Sequence, residues 1–156
     1  MREYSVPASF TIPDDASMAD TVYRYEKESP NFVPFQRLEN GNWTDVTAAR
    51  FAKEVAAAAK GLIASGIELG DRVAILSATR YEWVVLDYAI WSAGGCTVAI
   101  YETSSADQAQ WILEDSATKL LVVETAAHAS NLKEVTEGAK DLREVLQIDA
   151  GAIEEL

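Results

Sequence analysis

Residues 70–83 read GDRVAILSATRYEW. An apolar run from Arg72 to Leu76 breaks into a polar turn, Ser77 to Arg80, and an apolar helical pattern follows. Nucleotide-binding proteins use a strand that turns into a helix to bring backbone N–H groups up to a phosphate. Glycines at fixed spacing let the backbone approach that closely. This turn holds no glycine, and Gly66 and Gly70 both precede the strand, on the wrong side for a ligand at its carboxyl end. The stretch has the architecture of a nucleotide site without its chemistry. A dinucleotide-binding oxidoreductase is disfavoured on the same ground.

Outward from this unit the pattern repeats. CTVAIY (96–101), KLLVVE (119–124) and EVLQID (144–149) are short apolar runs that read as strands, the first of them buried-looking. Between them lie helical patterns. EWVVLDYAIWSAG (82–94) is apolar nearly all round, as a helix between layers should be. Thr79 with Glu82 predicts a capping box opening that helix, and Ser105 with Gln108 predicts another for ADQAQWILEDS (106–116). A further helix is expected from about Ala126 to Lys140, with Ala129, Leu132, Val135 and Ala139 on one stripe.

Upstream, Thr47 is a natural N-cap for AARFAKEVAAAAKGLIAS (48–65). Phe51, Val55, Ala58 or Ala59 and Leu62 form its apolar face, and Gly66 its C-cap. FVPFQRLENGNWTDVT (32–47) predicts a hairpin around Asn40-Gly41. A short helix is expected to begin at Ser17, with Met18, Val22 and Tyr25 in helical spacing and Pro30 as its stop. Residues 1–16 read as an arm, and 17–156 as one incomplete subdomain whose end, just after a strand, falls where such a sheet would normally continue. The predicted fold class is α/β: a layered open sheet with mostly parallel strands and βαβ crossovers, preceded by an N-terminal arm, a short helix and a β-hairpin.

A chain of 156 residues, 49% hydrophobic and 24% charged, can bury a core and is not disordered. Its net charge of −12 argues against nucleic acid, which demands clustered Lys and Arg. One cysteine, Cys96, excludes an internal disulfide, and with one histidine it cannot build a zinc site. No apolar stretch has membrane-span or signal-peptide length, and a cytoplasmic location is expected.

Ligands of open α/β sheets sit outside the carboxyl ends of the strands. That rule selects Ser77 to Arg80, Tyr101 to Ser105, and Glu124 to Thr125, and within them Thr79, Arg80, Tyr101, Glu102, Thr103 and Ser104 are the candidate cleft-facing residues. The competing readings are structural: hydroxyls of YETSS cap the next helix, and Arg80 pairs with Glu82. His128 shares a stripe with Leu132 and Val135 and lacks the partners catalysis needs. Trp83, Trp91 and Trp111 read as core or interface, and Cys96 as a small core residue. Asp87, the one acid in its apolar helix, either marks an exposed edge or needs a buried partner. No catalytic, cofactor-binding or metal-binding residue is assigned.

The run from Trp43 to Glu124 resembles the amino-terminal region of the adenylate-forming synthetases. The nearest likeness is to long-chain fatty-acid–CoA ligases of the AMP-forming superfamily. WTDVT (43–47), GLIASGIELGDRVAILSATRYEW (61–83), AGGCTVAIYETSSADQ (93–108) and WILEDSATKLLVVE (111–124) carry it. MREYSVPASF and LREVLQID look like the actinobacterial branch. The chain departs from the commonest family pattern at Ala99 and Glu102, where many relatives have proline. The resemblance implies a parent enzyme that uses ATP, Mg and coenzyme A to convert a fatty acid to an acyl-adenylate and then to acyl-CoA. The family's TSGTTGxPKG phosphate loop occurs nowhere in these 156 residues. The resemblance therefore implies a segment that is inactive alone, partnered by the remainder of the synthetase chain. It also admits a homodimer and peripheral membrane association of the parent. The alternative is a naturally short, non-enzymatic acyl-binding or dimerisation module.

Overall fold

Side chains alternate across the central strands, and both sides are apolar. In the computed structural model, which describes residues 3–39, 41–151, 153 and 156, this pattern builds a doubly covered sheet. Strands β3 (Arg72–Leu76), β4 (Cys96–Ile100), β5 (Leu120–Val123) and β6 (Glu144–Gln147) are all parallel, in the order β4-β3-β5-β6. Val73, Ile75, Leu120 and Val122 face one cluster, with helices α2 (Ala48–Ala64) and α3 (Tyr81–Ser92). Ala74, Leu76, Leu121 and Val123 face the other, with α4 (Ala106–Asp115) and Leu132. Each fully buried Val, Leu or Ile contributes about 1.5–3 kcal/mol, so both layers are needed.

The helices fall on opposite faces because the chain reverses. α3 carries the chain from β3 outward to β4, and α4 carries it back over β3 to β5. Right-handed crossovers in opposite directions must lie on opposite faces of the sheet. Ahead of the sheet, α1 (Asp20–Glu28) packs on α2, and the antiparallel hairpin of β1 (Phe35–Glu39) and β2 (Asn42–Val46) leads into α2. Thr47 caps α2 by accepting from Arg50 N at 3.2 Å, and Gly66 closes it with φ +84°, a left-handed conformation that favours glycine.

Several local expectations are corrected. α1 starts at Asp20, because the Asp20 carboxylate accepts from Ser17 N (2.7 Å) in a turn that precedes the helix; Met18 lies outside it and is exposed. The Thr79–Glu82 capping box does not form: the N-cap of α3 is Arg80, and the Glu82 carboxylate is taken by two guanidiniums. The helix expected over 126–140 is two short ones, α5 (Ala126–Asn131) and α6 (Lys133–Gly138), broken at Leu132, whose side chain is buried in the core. β4 is an edge strand with only Ile100 buried, so Cys96 is exposed rather than a core residue. Of the two readings of Trp111, core or interface, its exposure removes the first. By contrast, Ser105 and Gln108 make both bonds of their capping box. The hairpin forms as expected, although Asn40 lies outside the described residues, as do Met1 and Arg2 of the arm.

Asp87 is half-buried against β4 and accepts from Thr97 Oγ1 at 2.6 Å. Burial pushes its carboxyl above the ordinary value, against the lowering effect of the Thr97 bond. A carboxyl raised in this way binds its proton more tightly when folded, so stability falls as pH rises from its unfolded toward its folded value. Asp87→Asn keeps an acceptor for Thr97 and removes the charge. Urea unfolding should show the variant more stable than wild type at neutral pH, with the gain shrinking toward about pH 3. A loss at neutral pH would contradict this.

Candidate functional site

The strand order places its reversal between β3 and β5, whose following helices leave on opposite faces. The crevice at the carboxyl ends of those two strands is where doubly wound sheets bind ligands. Here the crevice is filled by Glu124. Its backbone stays in the ladder, with its N–H donating to Leu76 O and its C=O accepting from Asp149 N, both at 3.0 Å. Its side chain is thereby held over the turn after β3. Oε2 accepts from the Ala78 N–H at 2.9 Å and lies 3.3 Å from Ser77 Oγ, a hydroxyl that also reaches Ala78 O at 2.9 Å. The turn does hold an anion, and the anion is the protein's own carboxylate.

Arg80 completes the enclosure. Its Nη1 donates to Asp149 Oδ1 at 2.8 Å and to Glu124 Oε1 at 3.4 Å, and its Nε donates to Glu82 Oε2 at 2.7 Å. Burial lowers the guanidinium pKa, but the bonds to Asp149 and Glu82 outweigh it and hold the group above its ordinary range. Arg37 of β1 donates to the second oxygen of Glu82 and lies 4.4 Å over the Tyr81 ring. The Tyr81 hydroxyl donates to Glu54 at 2.6 Å, and Glu54 also accepts from Arg50 at 2.8 Å. Burial, and then the bond to Glu54, raises the Tyr81 phenol. One ionic chain thus runs from α2 through the hairpin and the start of α3 to the ends of β5 and β6.

The six candidate residues separate into different places. Arg80 turns toward β5 and β6, and Thr79 is exposed at the turn. Tyr101, Thr103 and Ser104, beyond β4, line an open groove of about 600 Å³ that also includes Trp111. Glu102 and Ser104 border a separate cavity of about 300 Å³ with Leu76 and His128. His128 Nδ1 is buried with no hydrogen-bond partner among the described residues. Asp149 is the member that sequence reasoning missed. Glu124 lies at a strand end, where the rule for open sheets places ligand-facing residues, and its further signal is an acid directly after a wholly apolar strand. Among the described residues no group of three His, Cys, Asp or Glu side chains could hold a metal ion. The charges at this site satisfy one another, and the Ser77 hydroxyl beside the Glu124 carboxylate is buried and donates to its neighbour's carbonyl.

Glu124→Ala would leave the Ala78 N–H and one Arg80 bond without their acceptor in a site where the carboxylate is only 19% exposed. The expected loss is about 2 kcal/mol, with Glu124→Gln costing about half because an amide oxygen can still accept. Urea unfolding measures both. Added phosphate should recover part of the loss in the alanine variant and none in wild type. A loss below about 0.5 kcal/mol in Glu124→Ala would show that the turn does not depend on this carboxylate.

A family model described as AMP-binding enzyme matches residues 22–156. The long-chain-fatty-acid–CoA ligases FadD15 of Mycobacterium tuberculosis and Mycobacterium bovis are each 51% identical to this chain over 148 residues. That match takes in 95% of this chain and 25% of theirs, so the chain spans about a quarter of the length of these curated relatives. Among solved structures, a long-chain-fatty-acid-CoA ligase (FadD1) from Archaeoglobus fulgidus matches with a TM-score of 0.79 at 17% identity, over 98% of this chain and 32% of that one. At such low identity the likeness concerns the fold. By the match across residues 22–156, on a fold that the Archaeoglobus structure shares, this chain belongs to the AMP-binding enzyme family.

Proposed function

We propose that this chain is the amino-terminal structural segment of an ATP-dependent long-chain fatty-acid–CoA ligase and is catalytically silent alone. The parent would activate a fatty acid with Mg-ATP to the acyl-adenylate, releasing pyrophosphate, and pass the acyl group to the thiol of coenzyme A. The observation that carries this reading is the 51% identity to FadD15, sustained over 148 residues.

The local chemistry supports the silent half of the reading. The residues present do not fit Mg-ATP: the one anion-accepting turn at the switch point is filled by Glu124, and no acidic cluster offers itself to a cation among the described residues. No reaction step is therefore assigned to these side chains. Thr79, Arg80, Tyr101, Glu102, Thr103 and Ser104 lie along the carboxyl edge of the sheet, where they would form part of a wall around the parent's cleft. Tyr101, Trp111, Leu38 and Trp43 are 61–81% exposed, which suits surfaces that the rest of a longer chain would cover. No helix among the described residues is long and apolar enough to cross a membrane.

Grafting residues 22–156 into Mycobacterium tuberculosis FadD15, in place of the matching stretch, tests the assignment. The folded chimera should form acyl-CoA from a long-chain fatty acid within about tenfold of the unaltered ligase. A folded but inactive chimera would sink the ligase reading. Pyrophosphate release by the 156-residue chain alone, with ATP, Mg²⁺ and a fatty acid, would sink the claim of silence.

A further inference from the structure

The arm carries a pattern that nothing in the described structure uses. From Tyr4 to Ile12 every even residue is apolar (Tyr4, Val6, Ala8, Phe10, Ile12), and every odd residue between them is Ser, Thr or Pro. Strict period-two alternation is the pattern of a strand with one buried face. Yet the segment has no regular structure and bends at Ser9–Phe10, and Tyr4, Val6, Phe10 and Ile12 are 65–89% exposed. Four large apolar side chains in a row on solvent need a cover.

The prolines say what kind of cover it is. In a strand, the N–H and C=O of successive residues point to alternate edges. Pro7 and Pro13 are both odd, so both missing donors fall on one edge. The other edge, with the amides of Tyr4, Val6, Ala8, Phe10 and Ile12, is complete. A strand able to ladder on one side only is an edge strand. The same even residues carry the apolar side chains, so docking buries them against whatever lies under the receiving sheet.

We infer that residues 4–12 are an edge strand that adds to a β-sheet formed by the part of the ligase outside this chain. The proposal rests on the reading that the chain is the amino-terminal part of a longer ligase. The choice of that occupant comes from length and from the chain's own edges. The two FadD15 ligases are about four times as long as the stretch matched here, and three quarters of each lies outside it. Among the described residues, every sheet edge (β1 and β2 of the hairpin, β4 and β6 of the main sheet) is four or five residues long, too short to ladder with a nine-residue arm.

The experiment compares hydrogen exchange at single-amide resolution in two proteins: the 156-residue chain, and a FadD15 chimera in which residues 3–156 replace the matching stretch. The expected result is an odd–even split. In the chimera the amides of Val6, Ala8, Phe10 and Ile12 are slowed at least about tenfold relative to those of Ser5, Ser9 and Thr11, whereas in the isolated chain all exchange alike. Ala8→Pro, which removes a donor from the complete edge, should abolish the split and speed proteolytic release of the arm. Ser9→Pro, on the edge already blocked, should do neither. Uniform exchange in the chimera, or equal effects of the two prolines, would overturn the inference. So would a split already present in the isolated chain that fades on dilution, since a second copy would then be the partner. Acyl-CoA formation by the chimera is read separately, so an active chimera with an unprotected arm refutes this inference and leaves the ligase reading standing.

Discussion

A strand buried on both faces has no residue to spare for water, and that constraint organises this molecule. β3 and β5 sit between the two apolar layers, and every side chain from Val73 to Leu76 and from Leu120 to Val123 is buried. Such strands can carry polar groups only where they leave the sheet. The chemistry of the fold is therefore pushed to the strand ends. At the carboxyl end, Ser77, Arg80, Glu124 and Asp149 meet as a consequence of register and not of sequence proximity.

What grows from that meeting is a tie between elements that share little core. The hairpin of β1 and β2 stands apart from the main sheet, and two strands alone are marginal. Arg37 binds it to α3 through Glu82 and the Tyr81 ring, while Phe35 packs against Phe51 and Tyr81. Exposed ion pairs contribute little singly. This set is partly buried, and Arg37, Arg80, Glu82 and Glu124 each have more than one partner, which fixes geometry where apolar contact is thin.

Much of this was legible in the sequence, for identifiable reasons. Thr47, Ser105 and Gly66 act locally: a cap needs only its own helix end, so its signal survives folding. The continuous apolar runs announced parallel strands, because only strands covered twice lack alternation. Readings failed where a tertiary partner outbid a local one. Glu82 has the spacing of a capping residue but is drawn away by Arg37 and Arg80, one of them 45 residues distant in sequence. Cys96 reads as core because its strand does, yet strand order alone decides which strand lies at the edge, and composition does not encode it. The candidate site divided for the same reason. Arg80 and Tyr101 both follow strands, but the reversal of chain direction sends their side chains to different sides of β3.

The turn after β3 also bears on how a fold can present anion-binding groups without offering them to a ligand. Its amide and hydroxyl still point at an anion, but the anion is supplied by the neighbouring strand. A ligand attached to the same polypeptide, in the right orientation, acts at an effective concentration far above what a dissolved competitor reaches. Free phosphate or nucleotide would have to displace Glu124 at that disadvantage and also leave Arg80 with one acceptor fewer. Saturation of this turn is thus set by folding, and its occupancy does not follow the metabolite levels around it.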